Sequence, residues 1–343
     1  MKAMASEKGY SRGFLIGASR AIAITTLTVL AFSSGLVVGQ SSAPGTASSA
    51  SASRKRKSDP PQAGQETFPS AAGATQALVA ALKDGDQASL LKVLGSNAMS
   101  IVSSGDDAED KSNRDQFVQK YQQMHRLVIE PDGTTTLYIG AENWPTPIPL
   151  VQQGNSWYFD TAAGKQEILY RRIGKNELAT IQVCSELVDA EKEYYGQSHD
   201  GDSNPQYAQK FFSDPGKHNG LYWETSAGEA ASPIGPLLAS AAIEDVREAA
   251  DQKPQPFQGY YFRILKAEGT KAHGSERSFI VEGKMTRGFA FLAYPAEYRS
   301  SGVMSFIVDQ DGIVYEKDLG PKTAQLAKTL TRYDRDASWR KAD

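Results

Sequence analysis

From residue 70 to residue 95, apolar side chains recur at the spacing of one helical face, with a gap in the middle. Ala74, Leu78, Val79 and Leu82 carry the first stretch, and Leu90, Leu91, Val93 and Leu94 carry the second. Lys83-Asp84-Gly85-Asp86 breaks the pattern, and Gly95 stops it. Two short helices are predicted over residues 70–94. A third is expected over 115–127, where Phe117, Val118, Tyr121, Met124 and Leu127 share a face. Strand-like runs then replace helical spacing. Residues 134–139, 148–152 and 156–160 read as short strands, set apart by Pro131-Asp132-Gly133 and Gln153-Gly154-Asn155.

A charged connection over 164–172 leads into the longest helical pattern, residues 175–197. Its expected buried stripe is Leu178, Ile181, Cys184, Leu187, Val188, Tyr194 and Tyr195, with Asn176 as cap and Gly196 as stop. A polar loop follows at 200–205, then a short helix near 207–212 and another over 237–249. The rest turns to strands at 260–267, 278–282, 288–294, 303–308 and 313–316, with a hairpin turn at Asp311-Gly312. A short helix at 323–331 closes the chain. This order predicts an α+β protein in which helices pack on antiparallel sheets in two domains, residues 67–170 and 171–343.

The N-terminal residues have a different pattern. Residues 21–53 contain no charged side chain, and 21–38 are mostly apolar; Lys2, Lys8, Arg12 and Arg20 come before them. A basic start, an apolar stretch and small residues together make an export signal. Residues 1–39 are expected to be either a signal peptide cleaved after Gly39 or a retained anchor. A spanning helix needs roughly 20 predominantly apolar residues, and the threonines and serines here dilute the run. Residues 40–66, rich in Ser, Ala and Gly, are expected to be a disordered linker. The expected location is therefore periplasmic or extracytoplasmic, with membrane contact only through the N-terminal segment if it stays attached.

Charge and cysteine content narrow the picture further. The 37 Lys and Arg face 40 Asp and Glu, for a net charge of −3, which argues against a general nucleic-acid role. The basic run Arg54-Lys55-Arg56-Lys57 lies in the linker, as solvated charge or as a contact to anionic lipid or cell wall. Cys184 is the one cysteine, so no internal disulfide can form. Its place in an amphipathic pattern reads as a small buried hydrophobe.

Several segments carry a family resemblance. WPTPIPL (144–150), WYFDTAAGKQEIL (157–169), RRIGKNELA (171–179), GLYW (220–223) and SPIGPL (232–237) are distinctive. So are GYYFRIL (259–265), SGVMSFIV (301–308) and VYEKDLG (314–320). Together they resemble the exported bacterial family known as domain of unknown function 2950, over residues 68–339. The resemblance implies a bacterial envelope protein and supplies no catalytic residue. By element order, the first domain resembles the cystatin-like and nuclear-transport-factor-2-like cone. The second resembles the soluble domain of pilins and pseudopilins, in a helix ending AEKEYY followed by a meander with a DG turn. In pilins the apolar N-terminal segment runs straight into the packing helix. Here Gly39 and Lys175 lie far apart, which argues against a filament core.

Candidate chemistry is sparse. Asp200, Asp202 and Asn204 have the i, i+2, i+4 spacing that opens a calcium loop, but Pro205 and Phe211 stand where such a loop needs Gly and Glu. A Ca²⁺ site there competes with a plain acidic loop. The Ser103–Asp107 stretch offers hydroxyls and carboxylates without a neighbouring base. None of His125, His199, His218 and His273 sits in a nucleophile or metal motif, and each reads as a surface or loop residue. Trp144, in a run with three prolines, is a candidate binding lip or a rigid edge-capping loop. Arg171 and Arg172 could grip an anionic ligand, or could pair with Asp160, Glu167 or Glu177. Trp157, Trp223 and Trp339 are expected as core or interface anchors.

The leading expectation is a non-enzymatic binding or assembly module that meets an envelope protein or cell-wall component. The alternative is a hydrolase or small-ligand enzyme using the concave face of the first domain. Converging carboxylates or a His–Asp pair in an open pocket favour the enzyme, and a closed apolar filling favours the module.

Overall fold

The computed structural model describes residues 58–225, 228–243 and 254–342. The leader, the basic run at 54–57 and part of the helix expected at 237–249 lie outside the described residues. The chain divides into two compact units, with the boundary between Gly174 and Lys175.

The first unit opens with helices α1 (Ala71–Asp84) and α2 (Gln87–Leu94). Ser70 caps α1 by accepting from the Gly73 N–H, and the Asp86 carboxylate accepts from Ala88 and Ser89 at the start of α2. Gly85, at φ 69°, provides the left-handed turn between them. The chain continues through α3 (Met99–Val102) to α4 (Asp107–Gln123). Strands β1 (His125–Ile129), β2 (Thr135–Ile139), β3 (Trp144–Pro145), β4 (Leu150–Gln153) and β5 (Ser156–Phe159) follow. They form an antiparallel sheet in the order β1-β2-β4-β5, with β3 on β2. Leu78, Leu90, Val93 and Leu94 from the helices meet Leu150 and Phe159 from the sheet in one apolar core.

Helix α5 (Thr161–Tyr195) starts in this unit and contributes its later turns to the second. Asp160 caps it, its Oδ1 accepting from Ala163 N at 3.0 Å. Gly164 is set by close approach: a Cβ there would lie 2.6 Å from Ile148 Cγ1.

In the second unit α5 buries Val183, Cys184, Leu187, Val188 and Tyr194. After α6 (Pro236–Ser240) come β6 (Tyr260–Leu265), β7 (Ala267–Glu268), α7 (Thr270–His273) and β8 (Arg277–Ser278). Next are β9 (Ile280–Val281), β10 (Lys284–Met285), β11 (Ala290–Pro295), β12 (Met304–Asp309) and β13 (Tyr315–Asp318). Helix α8 (Thr323–Thr329) and β14 (Arg340–Lys341) end the unit. The main sheet is antiparallel in the order β14-β13-β12-β11-β6. Its core is rich in aromatic side chains, with Tyr260, Phe262, Phe289, Phe291 and Phe306 fully buried. Arg263 crosses this core and donates from Nη1 to the carbonyls of Ala327 and Lys328, both at 3.1 Å, at the C-terminal end of α8. Trp223 and Trp339 are core residues, as expected, and Trp157 packs against the first unit's core.

Several elements depart from expectation for local reasons. Helix α4 starts at Asp107 because Asp106 accepts from Ala108 and Glu109, and it stops at Gln123. Leu127 and its neighbours instead form β1, where the apolar Leu-Val-Ile run pairs with β2. The expected connection over 164–172 is helical, since Asp160 supplies a cap ahead of it. Leu178 is 66% exposed and Tyr195 36% exposed; Thr180, Val183 and Glu191 take their places in the buried stripe. Residues 207–212 are not a helix: Tyr207 bridges to Met285 and Phe212 to Tyr222. Helix α6 ends at Ser240, where Ala241 and Ile243 turn to hydrogen-bond Phe262. Residues 58–66, assigned to the linker, are tied down. The Tyr158 hydroxyl donates to Asp59 O, and the Gln65 amide donates to Phe159 O.

Candidate functional site

Two residues singled out separately in the sequence, Trp144 and Arg171, meet in the first unit. The guanidinium of Arg171 lies 5.4 Å from the centre of the Trp144 ring. Its Nη1 donates to Pro145 O at 2.7 Å, and its Nε donates to Glu167, one helical turn back, at 2.7 Å. The expected pairing of Arg171 with Glu167 is present, and it holds the guanidinium over the indole. Trp144 remains 38% exposed. Arg172, one step further round α5, is exposed.

A second cation–aromatic pair stands beside the first. Arg126 on β1 and Tyr138 on β2 are direct cross-strand partners, with the guanidinium 4.6 Å from the ring centre. Tyr138 in turn faces Pro145 on β3. Arg126 also donates from Nε to Asn143 Oδ1 at 2.8 Å; Asn143 adopts φ 56°, a left-handed conformation that Asn tolerates in turns. The Tyr138 hydroxyl donates to Glu130 at 3.2 Å. Burial raises its pKa and Glu130 adds to this, while the charges of Arg126 and Arg171 oppose it. Register sets Arg126, Tyr138 and Pro145 in a row across the sheet, and Arg171, bonded to the Pro145 carbonyl, joins Trp144, the partner of Ile139, to its end. Each such pair contributes about 0.5–1 kcal/mol when exposed, and more once a ligand removes the water.

Sequence inspection found one end of this row and missed the other. Trp144 drew notice because three prolines surround it. Arg126 and Tyr138 become neighbours only through strand register, which β1 hid by resembling the end of a helix.

The polar loop of the second unit spends its carboxylates within the chain. Both oxygens of Asp200 accept from the His218 N–H, at 2.9 and 3.0 Å. Asp202 accepts from Asn204 and Gln206 and pairs with Lys284 at 2.5 Å, which lowers its pKa. Among the described residues, no group of three His, Cys, Asp or Glu is placed to hold a metal ion. His199 is a loop residue but is buried, stacked on Tyr194 at 3.7 Å.

Two features gave no sequence signal. Glu191 on α5 is fully buried. Its Oε2 accepts from Ala208 N at 2.8 Å, and its Oε1 has no hydrogen-bond partner. Burial pushes this carboxyl well above the usual range. The second is a cleft of about 500 Å³ in the same unit, which Tyr194 and Tyr207 help to line.

These features define an α+β protein with an arginine–aromatic row on one unit and an enclosed carboxyl in the other. The sequence model of the family described as "Protein of unknown function (DUF2950)" matches residues 65–342, and the chain belongs to that family. No curated protein and no solved structure matches the chain. Among the described residues, no helix is long and apolar enough to cross a membrane.

Proposed function

We propose that this protein is an exported, non-enzymatic binding or assembly module of the bacterial cell envelope, working without a bound cofactor. Its contact surface is the row formed by Arg126, Tyr138, Trp144 and Arg171, and its partner is an envelope protein or cell-wall component. The observation that carries this reading is an indole left partly exposed while an arginine is fixed over it by two other hydrogen bonds. Holding both groups in place in advance lowers the ordering cost of binding.

The interior of the first unit supports a module over an enzyme. The space between helices and sheet is filled by aliphatic and aromatic side chains. A small cavity of about 90 Å³ is lined by Asp59 and Asp160, among others, but Asp160 is engaged as the α5 cap. That volume lies below the roughly 300 Å³ at which small-ligand sites begin. The pilin-like reading of the second unit rests on a helix packed with an antiparallel sheet and on the turn at Asp311-Gly312, where Gly312 has φ 76°.

Co-sedimentation of the full-length protein with isolated bacterial envelopes tests the proposal. Trp144→Ala and Arg171→Ala are each expected to reduce the bound fraction several-fold at unchanged fold. Equal sedimentation of wild type and both variants would exclude the row as the contact surface.

A further inference from the structure

The cleft of the second unit is built from a sheet edge and cations. Its volume of about 500 Å³ falls within the roughly 300–1,000 Å³ of small-ligand sites, and Lys210, Lys266, Gln206, Ile243 and Ile264 are among its lining residues. β6 is an end strand, and its main-chain groups point alternately toward β11 and away from it. Phe262 points away: it donates to Ala241 O at 3.0 Å and accepts from Ile243 N at 2.8 Å. Ile264 is the next outward position, and the Lys266 carbonyl beyond it accepts from Phe279 N at 3.0 Å. Among the described residues, the 241–243 stretch pairs with β6 at Phe262 only. Among the described residues, Ile264 therefore presents an unpaired main-chain N–H and C=O at the cleft, between two satisfied neighbours.

Charge and ring packing select the occupant. Among the described residues, the lining contains Lys210, Arg263 and Lys266 and no Asp or Glu. Lys210 is paired with Asp214 at 2.5 Å, and Arg263 is turned to the α8 carbonyls, whereas Lys266 is exposed and outside any ion pair among the described residues. The rings are already covered. Tyr194 is 3% exposed, and Tyr207 stacks on Tyr195 at 4.5 Å and tilts against Phe289 at 4.8 Å. A sugar would find no open aromatic face to stack on.

We infer that this cleft binds an extended acidic peptide segment, laid beside β6 through the Ile264 main chain, with a carboxylate on Lys266. Ile243 and Ile264, both partly buried, receive an apolar side chain of the same segment. Main-chain pairing at an exposed edge supplies affinity, and alternate side chains supply selectivity. This site is separate from the arginine–aromatic row and does not depend on it.

The test is fluorescence anisotropy of the full-length protein with a labelled peptide of alternating Val and Glu. Saturable binding is expected, weakened about tenfold by Lys266→Glu, which corresponds to about 1.4 kcal/mol. N-methylation of the peptide backbone should weaken it similarly, with no change to the protein. Trp144→Ala should leave it unchanged, so failure here stays distinct from failure of the row. The inference is overturned by absence of binding, or by equal binding of a Val–Lys peptide. Indifference to both Lys266→Glu and N-methylation overturns it too, as does binding of polygalacturonate in place of the peptide.

Discussion

The two units solve the same packing problem with different materials. The first fills its helix–sheet core largely with aliphatic side chains around Phe68 and Phe159, and the two carboxylates it buries, Asp110 and Asp160, each accept from a main-chain N–H near the start of a helix. The second uses large rings and also encloses Glu191, Arg263, Glu268 and Asp309. An apolar core tolerates a change of shape within limits, whereas an enclosed polar group must keep its hydrogen bonds or lose stability. The second unit is therefore the more specifically built, and the first offers the more accessible chemistry.

The largest expected effects come from cutting each core. Phe291→Ala in the second unit should cost about 3–5 kcal/mol and Leu90→Ala in the first about 2–5 kcal/mol. Urea unfolding followed by circular dichroism measures both. A loss at Phe291 no larger than that at Leu90 would break the contrast between the cores.

Next comes Glu191. Glu191→Ala leaves the Ala208 N–H without its acceptor, at about 1–3 kcal/mol. Glu191→Gln keeps an acceptor and removes the titration. Because burial raises the folded-state pKa, the carboxyl's contribution is complete below the unfolded value near 4.3. It is lost as pH rises through the folded value. Relative to the Gln variant, wild type should lose urea resistance from about pH 4.3 upward. Parallel midpoints at all pH values would mean that Glu191 ionises without cost.

Gly164→Ala tests close packing in the first unit, because the new methyl group would press into Ile148. Overpacking of this kind costs about 1–3 kcal/mol. Smallest is Arg171→Ala, where loss of a half-exposed cation–π contact, an ion pair to Glu167 and a hydrogen bond to the Pro145 carbonyl, which water can replace, should cost about 1 kcal/mol. Its clearer signature is a change in Trp144 emission as the guanidinium leaves the ring.

Much of the architecture was legible in the sequence. The α1–α2 pair followed from apolar spacing and two glycines, and the β11–β12–β13 meander from apolar runs divided by turn residues. Where reading failed, a cap or a distant partner decided. Asp106 and Asp160 each begin a helix earlier than its apolar pattern shows. Extended segments near Tyr207 and Ala242 take their shape from Met285 and Phe262, far along the chain. The site was half legible for the same reason. Trp144 stands out locally, whereas Arg126 and Tyr138 need the strand register, and Glu191 looks like any surface glutamate on a helix.

Cys184 has a practical consequence of its own. It is fully buried, and burial pushes its thiol up to about 12, so the reactive thiolate is suppressed in the folded chain. In an oxidising compartment this keeps the single thiol out of intermolecular exchange. It also makes the protein its own clock: a thiol reagent can reach Cys184 only when the second unit opens. At high reagent the modification rate should equal the opening rate, and at low reagent it should follow the open population. One mass shift, timed at two reagent concentrations, would then report both the speed and the free energy of that opening.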